Sequence, residues 1–388
     1  MLKKTFQCEV ITPMFLGGAD QQPELRPPSI RGAMRWWFRA LYGGHLYSTS
    51  RNLIDELKRK EKEIFGDTSQ QSLFDIKIKS SINDNDIETH NFRNPYFRYL
   101  SYGLYQMGSD SPPSRKYIKP NKTFTVEMKF RTNEEKIKKL VCGTFWMLTY
   151  FGNIGSRSRR GLGSFNIVNS SYEYLPIVSD FNSLQEGINK IISNDYFGIT
   201  RSPLTINPEF PILHPNFWQG FLLSKTFNNS VDALKDIGEK LRKFREDKST
   251  SASFRRTLSS GRTISGQHSK EYKNIIKSKP ASGKSKLVGI PLWSIFGLPH
   301  PFKLTGIEEI TIAGENRERR ASPLFIKILE LGENNYQILL QKFESKFLDS
   351  KVKFYNALDE EIISGSIPFT QLNSFISSFT SPSRQIII

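Results

Sequence analysis

Residues 5–41 read TFQCEVITPMFLGGADQQPELRPPSIRGAMRWWFRAL, and the rest of the chain can be read outward from this stretch. Phe6, Cys8 and Val10 alternate with polar neighbours over Thr5–Thr12, the period of a half-buried strand. Pro13 and Gly17-Gly18 end it. Pro27-Pro28-Ser29 offers a helix start with Ser29 as N-cap. Ile30, Met34, Trp37 and Leu41 then recur at helical spacing on one apolar face. Gly43-Gly44 predicts the stop of that helix.

Beyond it, Asn52–Phe65 reads as a second helix with Leu53, Leu57 and Ile64 apolar. Phe74, Ile76 and Ile78 alternate, and so do Phe124, Val126, Met128 and Phe130; both predict strands. Between them residues 83–122, rich in Asn, Ser, Pro, Tyr and Arg, form a long loop of the kind that usually carries function or moves. Residues 134–150 read as a helix, a glycine- and arginine-rich turn spans 152–163, and Ser164–Val168 reads as a strand. Strand, helix, strand, strand, helix, strand is the ferredoxin-like order, with one sheet face under helices and one free. Many RNA-binding modules share that order, and so do unrelated proteins.

The second half is less regular. Val231–Phe244 predicts an amphipathic helix, Ile307–Ile312 and Leu324–Leu329 strands, and Phe369–Phe379 a last helix. Tyr336–Phe343 pairs with Leu324–Leu329 across Gly332-Glu333-Asn334-Asn335. The expected division is a domain at 1–175, containing the glycine-rich loop 152–163, and a second α/β domain at 176–388 with a basic, flexible insertion at about 246–286.

The 388 residues carry 55 Lys and Arg against 38 Asp and Glu, a formal charge of +17 that points to a polyanionic partner, most simply nucleic acid. The excess is local. Residues 1–170 hold 27 basic and 16 acidic residues, and residues 240–286 hold 14 and 3; the remaining segments are slightly acidic. Two cysteines, Cys8 and Cys142, make neither a disulfide framework nor a cysteine zinc site. The apolar run Val141–Phe151 is too short to span a bilayer, so no membrane association and a cytoplasmic location are expected. The opening Met1–Lys4 leads directly into a strand pattern, not a secretory signal.

Three constellations could bind that polyanion. Arg31, Arg35 and Arg39 stand at i, i+4 and i+8 on one helix ridge, about 130° from the centre of the apolar stripe. No acidic residue lies within Ile30–Tyr42. Such a ridge can track phosphates, with Trp36 stacking on a base; equally it can be a solvated face, with Trp36 packed on a neighbouring loop. The second is Gly152-Asn-Ile-Gly155-Ser-Arg157-Ser-Arg159-Arg160-Gly161-Leu-Gly163. Its glycines let backbone approach a ligand and its arginines supply charged donors; otherwise it is a surface turn. The third is the basic segment with Arg255-Arg256, Arg262 and Lys270, which can order on nucleic acid or simply stay solvated.

Other chemistry finds little footing. Gly283-Lys284-Ser285 lacks the earlier glycine and preceding strand of a phosphate loop. His45, His90, His214, His268 and His300 match no metal spacing, and no cofactor is expected. His45, directly after the arginine helix, is the most suggestive general base for a metal-independent ribonuclease, without a supporting constellation; the other reading is a lone loop histidine on the polar surface. Asp20 and Glu24, the only carboxylates near the arginine helix, are better placed to orient arginines or contact a partner chain than to do acid–base work.

Thr12-Pro13-Met14-Phe15-Leu16-Gly17-Gly18, Glu24–Gly32 and Arg35-Trp36-Trp37-Phe38-Arg39 together resemble the N-terminal signature of RAMP-superfamily CRISPR proteins, and within it the first-numbered subunit family of type III-B (Cmr) effector complexes. Gly155–Gly163 is similar to the superfamily's glycine-rich loop; Pro291-Leu292-Trp293, Phe296-Gly297-Leu298-Pro299 and Arg319–Leu324 resemble downstream motifs of that subunit. Residues 171–286 match nothing comparable. The resemblance implies an α+β fold of tandem ferredoxin-like (RRM-like) domains, with antiparallel sheets and helices on one face. It implies a non-catalytic subunit that helps bind target RNA near the 3′ end of the guide RNA in antiviral defence. Its partners would be guide CRISPR RNA, target RNA and other Cmr or RAMP subunits. The expected RNA-binding residues are Arg31, Arg35, Trp36, Arg39, Gly155, Arg157, Arg159, Arg160, Gly161, Arg255 and Arg256. The alternatives are an endoribonuclease that matures guide RNA and a purely architectural subunit.

Overall fold

The computed structural model describes residues 2–18, 22–50, 52–90, 95–105, 114–201, 208–245, 251–257, 263–269, 276–277, 286–287, 292–298, 300–302, 310–315, 318–346, 351–355, 360–364, 367–379 and 382–388. Its first elements are strand β1 (Leu2–Val10), helices α1 (Pro27–Thr49) and α2 (Leu53–Phe65), strands β2 (Phe74–Ser80) and β3 (Ile87–Thr89), the short helix α3 (Pro95–Leu100), strands β4 (Lys116–Ile118) and β5 (Thr123–Phe130), helix α4 (Glu135–Phe151) and strand β6 (Phe165–Ser170). One sheet has the order β2-β5-β1-β6, with every neighbouring pair antiparallel. With α1 and α4 as the crossovers, this is the ferredoxin-like arrangement.

Alternation decides the faces. Phe6, Cys8 and Val10 of β1, Phe124, Val126, Met128 and Phe130 of β5, and Phe74 and Ile76 of β2 are buried beneath the helices, and Phe6 meets Phe145 of α4 at 4.9 Å between ring centroids. The outward positions are Lys3, Thr5, Gln7 and Glu9, then Asp75, Lys77 and Lys79, then Thr123, Thr125, Glu127 and Lys129. Glu127 receives Lys3 at 3.1 Å and Lys79 at 2.8 Å. No aromatic ring stands among them, so this face lacks the stacking surface that RNA-recognition sheets use.

The chain continues with α5 (Phe181–Ile192), β7 (Trp218–Phe227) and α6 (Ser230–Arg245). Strands β8 (Ser251–Thr257) and β9 (Thr263–Ser269) pair, as do β10 (Ile276–Lys277) and β11 (Lys286–Leu287). Then follow β12 (His300–Phe302), β13 (Ile310–Gly314), β14 (Leu324–Glu330), β15 (Tyr336–Phe343), β16 (Lys351–Tyr355), β17 (Glu360–Ser364), α7 (Thr370–Phe379) and β18 (Ser383–Ile386). A second sheet has the order β14-β15-β7-β18. Taken as strand, helix, strand, strand, helix, strand (β7, α6, β14, β15, α7, β18), it repeats the permutation of the first sheet, so the fold is α+β with tandem ferredoxin-like motifs.

The chain divides into two compact units: Met1–Gly238 with Phe325–Ser345 and Thr380–Ile388, and Glu239–Leu324 with Lys346–Phe379. The first unit holds both ferredoxin-like sheets. Within it, β14 and β15 are buried on both faces, and Trp36 and Trp37 of α1 lie on Phe325 and Phe343. The second unit holds an antiparallel sheet of order β12-β13-β16-β17 and helix α7.

Several local expectations change. Ser29 is not the cap: α1 begins at Pro27, with Arg26 as N-cap and no side-chain cap bond. Proline in the first turn needs no amide partner, which lets the helix start earlier. Nor do Gly43 and Gly44 end α1, which runs on to Thr49. Their missing side chains admit the segment Phe210–Leu213; a Cβ on Gly44 would overlap the Leu213 carbonyl, and Leu213 N–H donates to the Ala40 carbonyl at 2.8 Å. The expected loop 83–122 contains the β3–β4 ribbon and α3. Helix α5, capped by a reciprocal Asp180–Ser183 pair, and strands β7, β16, β17 and β18 are not legible at the level of periodicity.

Candidate nucleic-acid interface

The arginine ridge of α1 faces α2 and the start of β2. Arg31 donates to Ser72 Oγ at 3.0 Å and to the Phe74 carbonyl at 3.2 Å, with Asp75 at 3.8 Å. Burial lowers its pKa, and the nearby Asp75 carboxylate works against that shift. Arg35 donates to Glu61 at 2.9 Å and to the carbonyls of Phe65 and Gly66 at the C-terminus of α2, the negative end of that helix. Arg39 donates to the Arg35 carbonyl and lies 3.6 Å from Glu61, with 47% of its side chain exposed. Acidic partners are thus absent from α1 itself but supplied by α2 and β2. Arg39 presents the most solvent-facing guanidinium of the three.

Trp36 is half-buried. It meets Trp37 edge-on at 5.0 Å, Phe325 at 5.0 Å and Phe343 at 5.3 Å. Of the two roles open to it, the described geometry is that of a brace between α1 and the second sheet. The Arg159 guanidinium lies 4.4 Å from the Phe325 ring and 5.4 Å from Trp36.

The glycine-rich loop is tightly specified. Gly155, Gly161 and Gly163 all have positive φ. A Cβ on Gly163 would overlap the Ile154 carbonyl, and one on Gly155 would press on the Phe15 carbonyl, so here the glycines are required by close backbone approach. The loop is laced to the turn after β1 by Ser156 N–H to Phe15 O, Gly163 N–H to Pro13 O and Thr12 Oγ1 to Gly161 O. On its other side Asn153 Nδ2 donates to Ile326 O at 2.9 Å, and Arg160 bridges to Ile326 of β14.

Two of the loop's arginines reach residues 95–115. Arg157, itself in the left-handed region at φ 57°, donates to the Tyr102 carbonyl at 2.5 Å, and burial lowers its pKa. Arg160 donates to the Tyr99 carbonyl at 3.3 Å. Arg115 donates to Ser156 Oγ at 3.0 Å, and Arg98 of α3 lies over the Tyr105 ring at 5.4 Å. Arg115, Arg157 and Arg160 thus tie the glycine-rich loop to this segment, while Arg159 of the same loop lies on Phe325 and Trp36. Arg98, Arg115 and the tyrosines belong to no motif in the sequence; the only signal is the Tyr- and Arg-rich composition of residues 83–122.

Arg255 and Arg256 fall on β8, but their side chains lie outside the described residues, as do Asp20, Arg262 and Lys270. Glu24 pairs with Arg26 at 3.6 Å. His45 lies within α1, not in a loop, and its Nδ1 pairs with the Gly198 carbonyl at 3.0 Å. Burial takes His90 down to about 3, and its Nε2 meets Ser101 Oγ at 2.8 Å. Among the described residues no group of three metal-ligating side chains converges, and no helix is long and apolar enough to cross a membrane.

Comparison with known proteins agrees with this frame. The RAMP superfamily model matches residues 7–166. CRISPR system Cmr subunit Cmr1-1 of Pyrococcus furiosus is 26% identical over 375 residues, 94% of each chain. Cmr1-2 of the same organism is 32% identical over 188 residues, 43% of this chain and 96% of that relative. The crystal structure of apo Cmr1 from Pyrococcus furiosus superposes with a TM-score of 0.64 at 22% identity, covering 100% of this chain and 99% of that one. A chain of the type III-B Cmr-beta complex bound to cognate target RNA, seen by cryo-EM, superposes at 0.54 with 13% identity, covering 98% and 99%.

Proposed function

We propose, for a chain that belongs to the RAMP superfamily and to its Cmr1 family of CRISPR proteins, an RNA-binding role within a type III-B ribonucleoprotein complex. In this reading it helps hold target RNA near the 3′ end of the guide RNA, beside other RAMP subunits, in the cytoplasm, and leaves cleavage to other subunits. The two ferredoxin-like motifs would correspond to residues 1–175 and 176–388.

The observation that carries the proposal is the lacing of the glycine-rich loop to residues 99–115 by Arg115, Arg157 and Arg160, with Arg159 on the same loop, in a segment that already holds 27 basic residues against 16 acidic ones. Guanidiniums are charged, fork-shaped donors suited to phosphate oxygens. Arg39 adds an exposed charge on α1. Arg31, Arg35, Trp36, Gly155 and Gly161 would then serve by shaping the surface, and Arg255 and Arg256 would add basic charge to the chain's second unit.

The test is binding of single-stranded RNA by the full chain, with Arg157, Arg159 and Arg160 changed together to Ala and, separately, to Lys. Each phosphate no longer neutralised should flatten the log–log salt dependence by about 0.7. The Ala variant should bind more weakly with a shallower slope, and the Lys variant should recover the slope in part. Unchanged affinity and slope in a folded Ala variant would remove the loop from the interface. Cleavage of repeat RNA in EDTA, abolished by His45→Ala, would overturn the non-catalytic reading in favour of an endoribonuclease.

A further inference from the structure

We propose that Tyr102 is a base-stacking residue for single-stranded RNA, held ready by Arg157 and the turn that follows α3. The proposal rests on the RNA-binding reading above and adds a base contact to it.

An exposed tyrosine is ordinary in itself. Tyr102 is 51% exposed on a turn whose other side chains are fixed. Ser101 on one side is fully buried, its Oγ between His90 Nε2 at 2.8 Å and the Phe97 carbonyl at 3.0 Å. Leu104 on the other side is buried, and its carbonyl accepts from Arg115 N–H at 2.9 Å. Gly103 takes a positive φ, and a Cβ there would stand 3.1 Å from Arg157 Nη2, so the turn lies close against the guanidinium. Arg157 closes the arrangement through the Tyr102 carbonyl. The backbone of Tyr102 is thereby pinned from inside while the ring projects outward.

That geometry suits stacking. Little backbone entropy remains to be lost when a base covers the ring, which is the benefit of preorganisation. The neighbouring cations of Arg157, Arg160 and Arg98 can take the flanking phosphates, so backbone charge and base face are met at adjacent points. Tyr96, Tyr99, Tyr102 and Tyr105 recur at every third position, interleaved with Arg98. The outward face of the first sheet offers no ring for this purpose. A base must leave its duplex partner to lie on a tyrosine at this turn, so the ligand class is single-stranded RNA without strong sequence preference.

The experiment measures anisotropy of a labelled single-stranded RNA on the full chain carrying Tyr102→Ala, Tyr102→Leu, Tyr102→Phe or the triple arginine change. Thermal melts confirm the fold of each. The Ala and Leu variants should bind roughly tenfold more weakly with an unchanged salt slope, because they forgo a stacked base and leave the phosphates held as before. The Phe variant should match the wild type. A Tyr102→Leu variant that binds like the wild type, while the triple arginine variant is impaired, would overturn the stacking role and leave the RNA-binding reading intact. A wild-type chain that binds no RNA would overturn both.

Discussion

Two arginines four residues apart on α1 have different work. Arg35 commits its guanidinium to Glu61 and to the two carbonyls that end α2, whereas Arg39 keeps nearly half of its side chain in solvent. Loss of a charged hydrogen-bonding group of the first kind costs about 1.5–3 kcal/mol. Arg35→Ala should therefore lower stability to urea by about 2 kcal/mol, whereas Arg39→Ala should leave stability within ~0.5 kcal/mol and weaken RNA binding instead. Equilibrium unfolding and RNA titration of both variants check the split; equal unfolding midpoints would refute it. The sequence shows the ridge but not this division, because Arg35 and Glu61 are 26 residues apart and no local spacing links them.

Element boundaries are legible where local chemistry alone sets them. The strand alternations at β1, β2 and β5 and the helical stripe of α1 are direct consequences of side-chain period, and β14–β15 follows from its turn residues. The end of α1 is not legible. Glycine ordinarily stops helices, but Gly43 and Gly44 lie inside one because Phe210 and the Leu213 carbonyl occupy the space their side chains would take. Gly44→Ala sharpens this point. Helix propensity alone favours Ala by about 1 kcal/mol, yet the Leu213 carbonyl must be displaced, and overpacking costs about 1–3 kcal/mol. The variant should melt below the wild type in calorimetry, against the direction that propensity gives. A higher melting temperature would show that Phe210–Leu213 gives way freely.

At the scale of the molecule, the first unit joins its two sheets through polar groups as well as rings. Asn166 Nδ2 donates to Glu330 O and Gln341 Nε2 to Phe151 O. Lys327 of β14, with no exposed surface, donates to the Phe165 carbonyl at 3.0 Å. Burial drives its pKa well below the ordinary lysine value, with Cys8 acting in the opposite direction. The unfolded chain holds this proton to about pH 10.4, so between the depressed folded value and that pH the unfolded state binds more protons and stability rises with pH. The cost of Lys327 is absent above about pH 10.4 and grows as pH falls through this window. Lys327→Met should therefore gain on the wild type as pH falls from about 10 to about 7, read as the difference between their denaturant midpoints. A gap that stays constant would mean the amine remains charged in the folded protein. The sequence by itself determined the first ferredoxin-like order, the β14–β15 hairpin and the concentration of charge in two segments, since periodicity, turn chemistry and charge are local properties of the chain. Only the tertiary structure decided which arginines are bound to acceptors, that Trp36 braces α1 on the second sheet, and that Tyr102 stands beside the glycine-rich loop. Those facts depend on residues tens to hundreds of positions apart, which meet only when the whole core packs.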